Sequence, residues 1–499
     1  MKKQIWIRIL SLLIVLATLF SVFAACEANS EDKNDDKKDN NDNLANESGS
    51  EEVTAEPVPE NIKKTNYDDE FYMSIMTDVN PMKYFWVEES KGDAMSEAIY
   101  ERQQKVYNYI GVDIKAKGAG SYTTYTDSFK TAVKNKDGSV DTLLTHVNMG
   151  ISSMIVEQYL QDFQDIPGID LDKDYWNHDF MDANSIADCY YLGFSDYNIL
   201  YTYVIAFNKK MLNQLALDTF SEEELYESVY NGTWTLDRFL ELGQKGFQEK
   251  GDKDIYGLVG QQWVPWCGFF HSSNINLVEM NEKGEYELSF YNDANKEKTA
   301  NLVDKLKNFS ASGYGEFIKG TSSPEAKLTN GRALMHIAAT HWLEDYLNYE
   351  ISFGVLPYPL YDEYQFDSSI PSLGYRSLQW GGQIVIPSYL RNTQMVGETL
   401  ELLAFYSDNV QTTFYEKLLG KQVSEAPDDA KVLDIVWNGI CGDIGQTFND
   451  EAGVLYFLPE VTWPGEGGKQ LASYYASKEK AANKKLNAFI KKVNKLNEN

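Results

Sequence analysis

Histidine and cysteine are scarce in this chain, five and four residues among 499. A metal centre built on imidazoles needs close spacing, and His336 and His341 are five apart, off the i, i+4 step that aligns two ligands on one helical face. No G-x-S-x-G nucleophile elbow occurs. The stretch "GEGGKQ" around Gly468 brushes a phosphate loop, but Gln470 replaces the metal-binding hydroxyl and no strand precedes it. Positive charge is short as well. Against 75 Asp and Glu stand 45 Lys and Arg, a net charge of −30, which repels phosphate backbones and argues against nucleic acid as a partner. Among so many acids no glycosidase pair can be singled out. Asp170, Asp172 and Asp174 in "DLDKDYWN" imitate a calcium loop, yet the glycine at its sixth place is missing and Met181 stands where a bidentate Glu belongs. The expectation is a protein with no catalytic constellation, no metal and no cofactor, hence not an enzyme.

The N-terminus carries what the body lacks, a long apolar run. Lys2, Lys3 and Arg8 precede an apolar stretch from Ile9 to Ala25 that ends at Cys26. Basic, apolar and small-residue regions in that order make a secretory signal rather than a membrane span. The tetrad "FAAC" (Phe23 to Cys26) resembles a bacterial lipobox, with Phe23 where Leu is usual, and implies lipid on Cys26. Residues Glu27 to Asn66 are mostly Asn, Asp, Glu, Lys and Ser, too polar to repay the entropy of ordering. They are expected to form a tether between anchor and body, on the extracellular face of the cell membrane. With Cys26 lipidated, Cys189, Cys267 and Cys441 remain, an odd set from which at most one pair can bridge.

The body alternates. "EFYMSIM" reads as a strand broken by Thr77, Asp78, Asn80 and Pro81, and a helix follows over Ala94 to Ile110. "VDTLLTHV" is a second strand before an apolar helix through Ile155 and Leu160. "NILYTYVIAFNKKML" turns from strand to helix near Lys209, and Thr235 caps a helix with Asp237 in its first turn. "GRALMHIAATHWLEDYL" passes from strand to helix near Thr340, while "ISFGVLPYP" and "GGQIVIP" are further strands. From Glu398 onward the chain is mainly helical, with a helix start at Pro427, Asp428 and Asp429. The closing segment is an amphipathic basic helix, expected to dock on the body. This rhythm is that of an α/β protein with parallel strands.

Several of these segments resemble, in the same order, the extracellular solute-binding proteins of ABC importers, especially the carbohydrate-binding branch and its lipoprotein subgroup. They are "AFNKKMLNQLAL", "GTWTLDRFLELGQKG", "DIYGLVG", "GRALMHIAATHW…FGVLPYP", "DIPGIDLDKDYWN" and "FYEKLLGKQVSEAPDDAKVLDIVWNGICGDIG". Cys441 and the residues around Gly442 depart from the subgroup's aromatic–aspartate pairing. The resemblance implies an α/β, two-lobed periplasmic-binding-protein-like fold of type II closing on a ligand. The signal would be 1–25, the tether 26–66, the first lobe 67–200 plus 383–428, the second 201–382 plus 429–499. It also implies a monomer that captures a sugar, most simply an oligosaccharide, and hands it to the transmembrane subunits of an ABC permease. Binding of a peptide or other polar solute, a surface glycan enzyme, and a sensor beside a membrane receptor stay open as alternatives.

In open α/β sheets, ligands sit outside the carboxyl ends of the strands. That rule selects Asn80, Asn148, Trp342, the Trp263 and Trp266 loop "QQWVPWCGFF", and Trp380 ahead of two glycines. A flat indole covers the apolar face of a pyranose while amides bond its hydroxyl rim. At Trp342 the resemblance adds a ligand-stacking tryptophan. The other reading is core packing for each tryptophan and a turn or cap role for each asparagine. Trp86 and Trp176 are read as core or lobe surface. A ligand carboxylate would call for a basic partner, and Arg376 is the nearest.

Overall fold

The computed structural model describes residues 57–77, 82–195, 202–217, 219–319, 325–349, 351–366, 374–421, 423–463 and 469–498. Cys26, Asn80, Leu200 and Gly468 lie outside the described residues. Among those residues thirteen strands form two principal sheets and two small ribbons. We number them β1 (Asp69–Met76), β2 (Val112–Gly120), β3 (Thr142–His146), β4 (Tyr203–Asn208), β5 (Tyr256–Gln261), β6 (Val278–Met280), β7 (Tyr286–Leu288), β8 (Gly315–Ile318), β9 (Ala333–Ala339), β10 (Phe353–Leu356), β11 (Ser377–Leu378), β12 (Gly381–Val385) and β13 (Ile440–Cys441).

The first sheet has the order β12-β3-β1-β2. Its strands β1, β2 and β3 run parallel and β12 runs against β3. The registers Met76↔Gly120 and Gly381↔His146 bring the ends of β1, β2 and β3 and the start of β12 to one edge. The helix Ala94–Ile110, capped by the Asp93 carboxylate on the Ser96 N–H, packs on this sheet and carries the helices Thr393–Phe405 and Asp408–Leu419. The passage into this sheet therefore precedes Gly381.

The second sheet has the order β10-β4-β9-β5-β8 and is mixed rather than purely parallel. Strands β5, β8 and β9 are parallel, whereas β4 runs against both β9 and β10. The register Tyr203↔Ala339 puts the start of β4 beside the ends of β5 and β9. The "FNKK" stretch has a physical role here. Asn208 caps the helix Lys209–Leu215, and the Lys209 ammonium reaches the buried Asp429 carboxylate at 2.9 Å. Asp429 also accepts the Tyr226 hydroxyl at 2.5 Å and the Val355 N–H at 3.0 Å. A buried carboxylate satisfied this fully ties the helix Pro427–Asn438 to β10.

Two expectations need correcting. The tether does not run to Asn66, because from Pro57 the chain is docked on the body. Ile62 is buried, the Asn61 amide donates to the Gly168 carbonyl at 2.9 Å, and Tyr67 N–H bonds the Ile110 carbonyl. One apolar side chain and fixed backbone bonds offset the ordering cost that a polar composition suggests. The helix expected through Leu160 ends at Val156. The calcium-like loop is an Asx turn: Asp170 accepts the Asp172 N–H and pairs with Lys173, and its own N–H goes to the buried Glu401. Among the described residues no group of His, Cys, Asp and Glu could hold a metal ion.

The closing helix Leu471–Asn497 docks as expected, burying Tyr475, Ala482, Leu486, Phe489 and Val493 along one stripe. Its Asn483 and Asn487 side chains accept N–H bonds from Leu288 and Tyr286, and Asn497 donates to the Ala187 carbonyl. No described helix is long and apolar enough to cross a membrane.

Candidate functional site

A series of ring contacts links residues at the two strand-end edges. At the first edge β2 ends at Gly120, two residues before Tyr122, which is 45% exposed. Its ring sits edge-on to His146, the last residue of β3, at 6.5 Å. His146 in turn meets Trp380, just ahead of β12, at 5.2 Å. At the second edge Trp263 follows β5 and Trp342 follows β9. Tyr456, in the loop before the helix Phe457–Thr462, joins the edges: its ring lies 6.5 Å from Trp380 and 5.8 Å from Trp263. One continuous aromatic path therefore runs from the first sheet to the second.

Backbone geometry shapes the first edge. Asn148 is left-handed at φ 69°, a conformation Asn tolerates better than most side chains, and Gly382 at φ 82° allows the bulge between Gly381 and Gln383. The Val147 N–H donates to the Trp380 carbonyl at 3.1 Å, fixing the loop after β3 against the entry to β12. The His146 Nδ1–H donates to the Val147 carbonyl at 2.8 Å, and burial holds the imidazole down at a pKa of about 3, so it is neutral.

At the second edge Trp342 is half-buried. It stacks parallel on His336 at 6.1 Å and meets the Tyr203 ring edge-on at 6.1 Å. A hydrogen-bonded crossing ties this corner to the first sheet. The Thr340 N–H donates to the Thr202 carbonyl, Thr202 Oγ1 donates to Gln379 Oε1 at 2.5 Å, and Gln379 Nε2 donates to the Gly381 carbonyl at 2.6 Å. Gln446 holds the Gln379 carbonyl at 2.9 Å. Burial raises the Tyr456 phenol above its ordinary range, and burial with the nearby Asp450 charge raises Tyr122. Both are neutral hydroxyls, able to donate and accept.

The family model of bacterial extracellular solute-binding proteins matches residues 99–420. The chain belongs to that family. No curated protein matches it significantly by sequence. Solved structures do. The sugar-binding protein MalE from Xanthomonas citri superposes with a TM-score of 0.57 at 11% identity, covering 86% of this chain and 99% of that one. The cyclic alpha-maltosyl-1,6-maltose binding protein from Arthrobacter globiformis gives 0.54 at 12%, covering 85% and 99%. The GacH receptor of Streptomyces glaucescens, solved with acarbose, gives 0.51 at 14%, covering 86% and 98%. The fold of this solute-binding protein is accordingly mixed α/β and two-lobed, one principal sheet in each lobe.

Of the residues selected from the sequence, the structure gathers Trp263 and Trp380 into the aromatic path. It sets Asn148 at the same first edge and Trp342 at the second. Trp266 stands apart. It is 0% exposed, with Trp463 at 4.7 Å, Phe317 at 5.2 Å and Phe269 at 5.5 Å around it, so it presents no open ring face. The reason is its place inside the helix Val264–Ser272, whose residues from Pro265 onward are all buried. Arg376 is engaged as well, donating to Asn274 and Asn276 at 2.9 Å each. Trp176 bonds Glu401 in the core, and the Trp86 indole donates to the Ile114 carbonyl. Sequence reasoning missed Tyr122, His146 and Tyr456. "KAKGAG" hid the end of β2 behind lysines and glycines, and Tyr456 follows no strand.

Proposed function

We propose that this solute-binding protein captures a sugar, most simply an oligosaccharide, between its two lobes and delivers it to the transmembrane subunits of an ABC permease. The observation that carries the reading is the aromatic path from Tyr122 to Trp263 at opposed strand-end edges. Aromatic faces cover apolar sugar C–H surfaces, and the neutral phenols and amides serve the hydroxyls. Structural relatives whose names record a sugar, cyclic alpha-maltosyl-1,6-maltose or acarbose support the same class. Trp342, Trp380, Trp263, Tyr456 and Tyr122 are the contact residues in this reading, with Asn148 at the rim.

Ligand that touches both edges makes contacts only the closed form offers, and so shifts the population toward closure. No bond is made or broken, and the protein acts as a monomer rather than as an enzyme. Cys26 carries the lipid, and the protein works at the outer face of the membrane. The lobes divide near residue 200, ahead of Gly381 and near Asp428.

A thermal-shift screen against mono- and oligosaccharides tests this. A ligand at about a hundred times its dissociation constant adds about 2.7 kcal/mol to the folded state, a rise of a few degrees in a body of this size. A shift with one glycan class and unchanged glycan afterwards supports the reading. A flat response across the panel removes sugars and brings peptides forward. A new product makes the protein an enzyme.

A further inference from the structure

The closing helix Leu471–Asn497 concentrates positive charge in an acidic protein. Its 27 residues hold seven lysines and a single acid, Glu479, in a chain where Asp and Glu outnumber Lys and Arg 75 to 45. At about 100° per residue, Lys480, Lys484, Lys485, Lys491, Lys492 and Lys495 fall within an arc of about 140°. All six are exposed, and the arc lies opposite the buried stripe of Tyr475, Ala482, Leu486, Phe489 and Val493. Between them on this arc stand only small residues, Ser477, Ala481 and Ala488, so the ammonium groups can meet one plane. From Lys480 to Lys495 the row is about 22 Å long.

Solvated helix faces gain stability by alternating acids with lysines at i, i+4. This face does not. Lys480 and Lys484, and Lys491 and Lys495, are like charges at that spacing, which destabilise a helix. The helix dipole accounts for Lys495 in the last turn and not for the others. Glu479 falls outside the arc, and Glu498 follows the helix. Glu285 and Glu287 border the helix beyond the arc, on the side where the Asn487 side chain accepts the Tyr286 N–H. Among the described residues Lys480, Lys484, Lys485, Lys491 and Lys492 form no ion pair, whereas Lys115, Lys209 and Lys305 elsewhere sit on carboxylates at 2.5 to 2.6 Å.

We propose that the lysine face of the closing helix docks on an anionic lipid surface, that of the membrane to which the protein is anchored. This depends on the reading of Cys26 as lipidated. The apolar stripe is already buried against the body, so the helix keeps no apolar face to insert and attachment is electrostatic. A flat row of lysines suits a plane of negative headgroups. The acid-rich remainder of the body is repelled by the same plane, so docking fixes which side of the protein meets the membrane.

The test places the lipid-bearing protein in vesicles of phosphatidylcholine alone and in vesicles with about 30% phosphatidylglycerol, and labels its amines with a water-soluble acylating reagent. Peptide mass spectrometry reads each site. Labelling of Lys480, Lys484, Lys485, Lys491 and Lys492 should fall at least about threefold on the anionic vesicles, while the exposed Lys250 and Lys253 stay unchanged. Salt at about 1 M, with a screening length of about 3 Å, should restore it. The combined variant Lys484→Gln, Lys485→Gln, Lys491→Gln and Lys492→Gln keeps good helix formers at exposed positions, so its melting temperature should hold while the protection of Lys480 is lost. Equal labelling on both vesicles overturns the inference and leaves the anchor standing. Protection of Lys480 that the variant retains overturns it too. Protection that appears on both vesicles and grows with protein density assigns the face to a second copy and overturns the lipid partner. A protein that associates with neither vesicle overturns the anchor at Cys26 and the inference with it.

Discussion

Trp263 and Trp266 are three residues apart, and Asp443 and Asp450 seven, yet each pair is divided between two regions of the molecule. Trp263 is half-buried just after β5 and Asp450 is exposed, and such open positions make up the rim. Trp266 and Asp443 belong to the layer behind it. Trp266 is enclosed by three aromatic rings. Asp443 accepts the backbone N–H groups of Leu277, Gly445 and Gln446, capping the helix Ile444–Thr447. Residue type does not separate rim from layer; the partners already present do. A side chain enclosed by its neighbours contributes stability, and one that keeps an exposed face is open to contact from outside.

The largest expected effect tests the layer. Trp266→Ala should lower folding stability by about 3–5 kcal/mol through the cavity it leaves, read by denaturant unfolding. Lys209→Met strands the buried Asp429 and should cost a similar amount, about 3–5 kcal/mol. Neither should weaken ligand binding in protein that remains folded. A stable Trp266→Ala that fails to bind would move Trp266 to the rim and break the distinction.

Next comes the rim. Trp342→Ala should weaken binding of the glycan found by thermal shift by about 2 kcal/mol, roughly thirtyfold, with a smaller change in melting temperature. Trp263→Phe keeps an aromatic face against Tyr456 and should cost less than tenfold. A Trp342→Ala variant with unchanged affinity would confine the site to the path through Trp380 and Tyr456.

A smaller effect depends on pH. Burial raises the Asp443 carboxyl from 3.8 to about 6 despite its backbone donors and the nearby Arg376 charge. Between those values the folded state holds a proton that the unfolded state has released. Stability from this group therefore falls as pH rises through the window and is recovered on acidification, by about 1.4 kcal/mol per pH unit at most. Asp443→Asn should flatten that part of the melting profile between pH 6 and 4. An unchanged slope would assign it to other acids.

Much of the fold was legible because local signals agreed. Ala94–Ile110 has an Asp cap and an apolar stripe, and β9 and β12 are apolar runs closed by a helix start or a proline. The mixed order of the second sheet was not legible, since a buried strand such as β4 reads the same in either direction. The placement of the candidate residues was half legible. The strand-end rule picks Trp263, Trp342, Trp380 and Asn148, which the structure does set at strand ends or strand starts, because strand ends leave a mark in sequence. It overreaches to Trp266, since nothing local announces that Trp463 and Phe317 will close over it from distant segments. It misses Tyr456, which reaches the site through the packing of its helix; among 33 tyrosines no local pattern sets it apart.

The most direct test of two opposed edges closing on a solute is hydrogen exchange with and without the neutral oligosaccharide that gives the largest melting shift. Protection should rise together in segments from both lobes: 120–125, 146–150 and 378–382 on one side, 262–264, 340–344 and 450–457 on the other. Protection confined to one lobe, or centred on the groove lined by Lys117, Thr124, Asp127 and Ser139, would contradict a ligand held between them.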